Sequence, residues 1–174
     1  MITINAETHV QIRAETPGDA PAILAVTQAA FAEAEHSSGT EGAIIEGLRQ
    51  AGALTVSRVA DADGMVIGHI AFSPITVNGR DEGWFGLGPV SVDPGRQANG
   101  VGSRLVSDGV AQLKTKGAKG CVALGDPRFY RRFGFAPDPR LRYDGVPPEY
   151  FMAQAFEFPM PEGSVAYHRA FEAS

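Results

Sequence analysis

Apolar residues along the chain change their spacing from two to about 3.6, and each change marks an element. His9 to Ala14 alternates as a strand does. Thr16-Pro17-Gly18-Asp19 then supplies a cap with proline in the first helical turn. Ile23, Leu24, Val26, Ala30 and Phe31 recur at helical spacing until the polar run from Glu33 to Thr40. Glu41 to Gln50 predicts a second helix with Ile44, Ile45 and Leu48 as its buried stripe and Gly52 as its stop. Leu54 to Ala60 and Met65 to Val77 read as an antiparallel pair joined by the turn Asp61-Ala62-Asp63-Gly64. A further strand begins near Gly83, after the turn Asn78-Gly79-Arg80-Asp81, and runs to Val92.

Parity along that last strand changes. Phe85 and Leu87 occupy odd positions, whereas Val90 and Val92 occupy even ones. Side chains of a strand alternate between faces, so one extra residue must be absorbed near Gly88-Pro89, and Pro89 has no N–H to give a ladder. The pattern predicts a β-bulge. A helix to about Lys116 follows, with Val101, Leu105, Gly109 and Leu113 at four-residue spacing, Val106 and Val110 widening the stripe and Gly117 ending it. Arg104 opposes the dipole of its first turn by a few tenths of a kcal/mol, a cost that an anionic ligand would offset and that an exposed arginine would simply bear. Lys119 to Leu124 forms a short strand parallel to the previous one, because a helix joins them in a right-handed crossover. Gly125-Asp126-Pro127 opens a short helix that carries Phe129, Tyr130, Arg131 and Arg132 and stops at Gly134.

Length and composition narrow the class. At 174 residues and 44% hydrophobic content the chain suits one α/β domain spanning residues 1–174 and is short for two. A formal net charge of −5 without a dense run of lysines or arginines argues against a nucleic-acid partner. Apolar stretches are broken well before about 18 residues, and no basic n-region precedes an apolar one, so no membrane span is expected and the chain reads as cytoplasmic. Cys121 is the single cysteine, which excludes an intramolecular disulfide, and its inward strand position reads as a buried structural thiol. His9, His36, His69 and His168 have no ligand spacing among themselves or with Cys121, so no metal site is expected.

The most informative stretch is Gln97-Ala98-Asn99-Gly100-Val101-Gly102, between the strand ending at Val92 and the long helix. Its glycines tolerate positive φ and close approach of a ligand, so successive N–H groups at the helix start can converge on one anion. Phosphate oxygens would then replace the missing intrahelical acceptors. A Rossmann fingerprint needs a small residue three positions after its second glycine, where Leu105 stands, and a Walker loop needs Gly-Lys-Ser/Thr where Gly100-Val101-Gly102 stands. Neither fits, and an ordinary turn rich in glycine and asparagine is the bland alternative.

Preceded by the run from Leu87 to Pro94, the segment resembles the Q/R-x-x-G-x-G/A loop of the GNAT superfamily of acyl-CoA-dependent N-acetyltransferases. Residues 126–135 resemble a second signature of that family, a tyrosine before a basic residue and a Gly-Phe pair, and Val146 to Met152 is similar to the C-terminal part of a bacterial subgroup. The resemblance spans nearly the whole chain. It implies a mixed, mostly antiparallel twisted sheet flanked by helices and splayed at two central parallel strands. It also implies acetyl-CoA as acyl-donor cosubstrate, with no metal. Val90, Ser91 and Val92 would hold the pantetheine arm and thioester; Gln97, Ala98, Asn99, Gly100, Val101, Gly102 and Ser103 would hold the pyrophosphate.

Tyr130 would be the catalytic acid that protonates the departing thiolate. A phenol with a pKa near 10 is loaded at pH 7; the alternative is a tyrosine that packs its ring and bonds through its hydroxyl. Arg131 and Arg132 both stay unassigned as partners of the ribose phosphate. Glu33, Glu35, His36, His69, Glu82 and Glu149 are candidate bases, and none stands out: His69 reads as a satisfied core histidine and the glutamates as solvated. The expected reaction is direct attack on acetyl-CoA by the primary amine of a small-molecule or peptide acceptor in a ternary complex, with a homodimer as one assembly left open. A noncatalytic acyl-CoA-binding or sensing module would keep the loop without needing Tyr130. A purely structural protein leaves both loop and bulge without a reason.

Overall fold

The computed structural model describes residues 9–32, 34, 37, 39–97 and 99–173. In chain order it contains β1 (Val10–Ala14), α1 (Ala20–Phe31), α2 (Glu41–Gln50), β2 (Val56–Ala62), β3 (Met65–Pro74) and β4 (Thr76–Val77). There follow β5 (Trp84–Val92), α3 (Val101–Thr115), β6 (Gly120–Leu124), α4 (Pro127–Tyr130), β7 (Leu141–Arg142), β8 (Phe151–Ala155) and β9 (Gly163–Ala166). Six strands form one sheet in the order β1-β2-β3-β5-β6-β8, antiparallel throughout except where β5 meets β6. The expected sheet class is the observed one.

Local chemistry sets the element ends. Before α1, the Asp19 carboxylate accepts from the N–H and hydroxyl of Thr16 at 2.7 and 3.0 Å and from Arg13 at 2.7 Å, while Arg13 also reaches Asp61 at 3.0 Å. The guanidinium holds the Asp19 carboxyl well below the usual carboxylate range, against the effect of burial. The β2–β3 hairpin turns on Asp63 and Gly64, both at positive φ, with Ala62 opposite Met65. Two such residues suit a tight hairpin turn, so β2 runs two residues further than the sequence pattern suggests.

All six residues of the α3 stripe are buried. At Gly109 an added Cβ would come within 2.3 Å of the Phe72 ring, so the absent side chain lets α3 settle on the sheet. Its core contains Ile70, Phe72, Leu87, Cys121 and Met152. On the opposite face, α1 and α2 cover β2 and β3, and an aromatic cluster around Trp84, Phe151, Tyr143 and Tyr167 covers the β6–β8 side.

One expected strand is divided. The pattern from Met65 to Val77 reads as continuous, but β3 ends at Pro74, and Thr76 and Val77 pair instead with Ala166 and Val165. β4, β9 and β7 make a second, three-stranded sheet. The partner strand lies far downstream, and nothing in the local alternation announces it.

The β-bulge is present where parity requires it. Ile70 faces Val90, whereas Phe72 faces Leu87, so three steps on β5 match two on β3, and Gly88 takes φ 131°. Phe85, Leu87, Val90 and Val92 consequently all pack on the α3 side. Pairing between β5 and β6 runs from Trp84 opposite Gly120 to Leu87 opposite Ala123 and stops there. Beyond the bulge β5 continues along β3 only, and the sheet opens.

Candidate functional site

The gap between β5 and β6 is edged by backbone rather than side chains. Asp93 donates its N–H to the Ile67 carbonyl at 2.8 Å, which fixes the alternation of the antiparallel ladder. Ser91 therefore shares its hydrogen bonds with His69, while Val90 and Val92 turn their N–H and C=O groups away from β3 and into the gap. Before the bulge the phase is opposite: Ile75 donates to the Trp84 carbonyl at 3.1 Å, so Phe85 and Leu87 face β6. The bulge thus ends one ladder and exposes the next set of bonding groups. Gln97 Nε2 donates to the Val92 carbonyl at 3.1 Å. Ser91 lies between the two valines, but its hydroxyl points to the other face, 3.4 Å from that of Thr27 on α1.

A 3₁₀ turn, Pro94–Arg96, leads from β5 to α3, with Asp93 Oδ1 accepting from the Gly95 N–H at 2.9 Å. Gly100 at φ 79° starts the helix, and its carbonyl accepts from Arg104 N–H at 3.1 Å. The amides of Val101, Gly102 and Ser103 are the first-turn donors that no intrahelical carbonyl satisfies. Ala98 lies outside the described residues. A Cβ on Gly102 would stand 3.7 Å from Val92 and 3.8 Å from Phe129, so strand end, loop and α4 converge there. Arg132 places its guanidinium over the Phe129 and Phe133 rings and donates to Ser103 Oγ at 2.9 Å. That puts a cation on the first turn of α3. Arg104 turns instead to β1, donating to the Val10 carbonyl at 2.8 Å, and Arg131 is exposed.

Tyr130 follows β6 on the same side of the sheet as α3. Asp126 caps α4 by accepting from the Arg128 N–H at 2.9 Å. The Tyr130 ring meets Phe129 and Phe135 edge-on at 5.0 and 6.0 Å between centroids. It lies so close to Gly125 that a Cβ there would come within 2.8 Å. Burial pushes the phenol up to about 12, with a smaller contribution from Cys121. Its hydroxyl makes no hydrogen bond within the described residues. Cys121 itself is fully buried, and burial raises its thiol well above the usual range, as suits a structural residue.

Of the candidate bases, Glu33, Glu35 and His36 lie outside the described residues. Glu82 lines a cavity with Trp84 and Lys119, at the end of β5 remote from the bulge, and Glu149 is exposed. His69 is fully buried, with Nε2 2.8 Å from Ser57 Oγ and Nδ1 without a hydrogen-bond partner among the described residues. Burial pushes the imidazole down to about 4. The sequence reads it as a satisfied core histidine; the structure satisfies one of its two nitrogens. Ser57 donates to Glu15 at 2.8 Å, and Arg49 holds the same carboxylate at 2.7 and 3.1 Å. None of Glu15, Thr27 or Ser57 carries a local signal, because they come from separate elements and meet only in the fold. Among the described residues, no three His, Cys, Asp or Glu side chains gather as a metal site, and no helix is long and apolar enough to cross a membrane.

Strand backbone that β6 leaves uncovered thus stands beside a glycine-started helix, with a neutral phenol on the same face. The family model for the acetyltransferase (GNAT) domain matches residues 55–137. The chain is 36% identical over 167 residues to the uncharacterized N-acetyltransferase YhbS of Escherichia coli K12, covering 92% of this chain and 97% of that protein. It is also similar to the crystal structure of a GNAT family acetyltransferase from Brucella melitensis in complex with acetyl-CoA. That match has 51% identity and a TM-score of 0.85 and covers 94% of this chain and 99% of that one. The structure of Escherichia coli YhbS in complex with CoA matches at 35% identity and a TM-score of 0.87, covering 95% and 93%. The chain belongs to the GNAT family of acetyltransferases.

Proposed function

We propose that this protein transfers the acetyl group of acetyl-CoA to the primary amine of a small-molecule or peptide acceptor, by direct attack in a ternary complex. The observation that carries the reading is the backbone edge at Val90 and Val92 that the bulge turns into the gap and β6 leaves uncovered, with the Val92 carbonyl held by Gln97 Nε2. A pantetheine arm has alternating amide donors and acceptors, so it can add beside β5 as an extra strand. The 97–103 loop, with the first-turn amides of Val101, Gly102 and Ser103, then receives the pyrophosphate, and Arg132 adds positive charge there.

Catalysis in such a site rests on orientation and on a strand N–H that stabilises the oxyanion as the amine adds to the thioester carbon. Tyr130 supplies the proton as the C–S bond breaks. With its pKa near 12 it is always loaded, and it gives up the proton only when thiolate charge develops within hydrogen-bond reach. The relatives crystallised with acetyl-CoA and CoA support the donor. A panel of amines, scored by release of free thiol from acetyl-CoA, tests the reading. Tight acetyl-CoA binding with no thiol release for any amine would favour a sensing module.

A further inference from the structure

Thr27, Ser91 and His69 are buried polar residues in one layer, between α1 and the sheet. The hydroxyls of Thr27 and Ser91 are 3.4 Å apart. Ser91 lies directly opposite His69 across the β3–β5 ladder, so their side chains project from the same face. Thr27 also lines a cavity of about 320 Å³ between α1 and α2, together with Phe31 and Glu41. On the far side of His69, Ser57 of β2 and Glu15 continue the polar chain to the partly exposed Arg49.

Hydrogen-bond direction fixes the imidazole tautomer. Burial opposes ionisation of Glu15, but hydrogen bonds from Arg49 and Ser57 outweigh it and hold the carboxyl below its ordinary range. An ionised carboxylate only accepts, so Ser57 spends its single proton on Glu15. Ser57 Oγ must then accept from His69, which places the ring proton on Nε2. Nδ1 is left as a bare, buried lone pair one strand from the gap. A water bridging Nδ1 and the Ser91 and Thr27 hydroxyls would have the two to four polar partners that a buried water requires.

We propose that His69 Nδ1, through that water, receives the proton that the acceptor nitrogen sheds as the amide forms, with Ser57 and Glu15 as positioning residues behind it. The inference rests on the acetyl-transfer reading above. As the C–S bond breaks, the nitrogen's N–H bond breaks and its electron pair joins the new amide. The water takes that proton and passes one of its own to Nδ1. Tyr130 protonates the sulfur, and solvent afterwards removes the proton from His69 and reloads Tyr130. The imidazolium is held by Nε2–H donation to Ser57, backed by the Glu15 charge. A weakly basic imidazole cannot strip a proton from a free ammonium ion, but it suffices here because an amide nitrogen scarcely binds one. The acceptor therefore enters as the neutral amine.

His69→Gln keeps a donor for Ser57 and removes the lone pair, and Ser57→Ala removes the support. With the first of phenethylamine, spermidine, lysine or an alanyl peptide to release thiol, we expect kcat to fall about 10²-fold in His69→Gln and about tenfold in Ser57→Ala. Acetyl-CoA affinity stays unchanged, and the solvent isotope effect on kcat rises in both variants because proton departure becomes slower. A merely structural role would lower the rate without moving the isotope effect, and that result overturns the proposal, as does wild-type turnover in either variant. In ¹⁵N-histidine spectra of the wild-type chain, we expect His69 to be neutral with its proton on Nε2; a proton on Nδ1 also overturns it. Silence of the wild-type chain with all four amines would count against acetyl transfer itself and leave the tautomer to decide the relay.

Discussion

The two faces of the opened sheet are built differently. On the α3 face the groups proposed to meet the donor are mostly backbone: Val90 and Val92 in the gap and the first turn of α3, with Tyr130 as the added side chain. The floor beneath them is apolar, from Phe72 and Leu87 to Leu105. On the α1 face the corresponding groups are buried side chains: Thr27 and Ser91, whose hydroxyls are paired, and His69, which is linked to Ser57 and through it to Glu15. Backbone donors recognise an invariant molecule such as a nucleotide-linked thioester and depend on glycines and strand phase. The proposed proton relay uses side chains, which can differ between proteins without changing the fold.

Gly102→Glu should break the α3 face most completely. A Cβ there meets only ordinary contacts at 3.7 and 3.8 Å, so the chain still folds, but a carboxylate now stands where pyrophosphate charge would sit. Calorimetric titration should show acetyl-CoA binding abolished while thermal unfolding stays cooperative; unchanged affinity would contradict the site. Tyr130→Phe keeps the ring packing and removes only the proton donor. Turnover should fall by about 10²–10⁴-fold with acetyl-CoA affinity nearly intact, where chemistry limits the wild-type rate. An equal loss of affinity would instead give the hydroxyl a binding role.

The α1 face should reveal itself through pH. His69 titrates at about 4 in the folded protein, below its ordinary 6.5, so the unfolded chain takes up the proton first. Stability is complete above pH 6.5 and is lost as pH falls toward 4, by about 3 kcal/mol at most. Urea midpoints should follow that slope, and His69→Gln should flatten it between those limits. The lowered carboxyls of Asp19 and Glu15 act at more acid pH, which separates the two effects. Smaller still, Gly109→Ala drives a methyl into the Phe72 ring and should cost about 2 kcal/mol of stability, read as a lower Tm. Acetyl-CoA affinity should be unchanged, because the α3 floor would be disturbed away from the gap.

The same contrast explains what could be read in advance. α2 occupies the expected Glu41–Gln50, and the α3 stripe is buried at every expected position, because both follow from local periodicity. The bulge followed from parity alone. What could not be read depends on partners distant in sequence. Thr76 and Val77 leave the main sheet for β9, and Arg104 turns to the Val10 carbonyl rather than toward the loop. His69 looks like an ordinary core histidine until Ser57, backed by Glu15, is brought to one of its nitrogens and, among the described residues, no partner to the other.

Residue-resolved amide hydrogen exchange, with and without acetyl-CoA, tests the central claim most directly. Ser91 and Asp93 already donate to β3, whereas Val90 and Val92 face the gap. Acetyl-CoA should slow exchange at Val90 and Val92 and at Val101, Gly102 and Ser103, and leave Ser91 and Asp93 nearly as they were. Unaltered exchange at Val90 and Val92 in a saturated complex would mean that the donor does not lie along this strand.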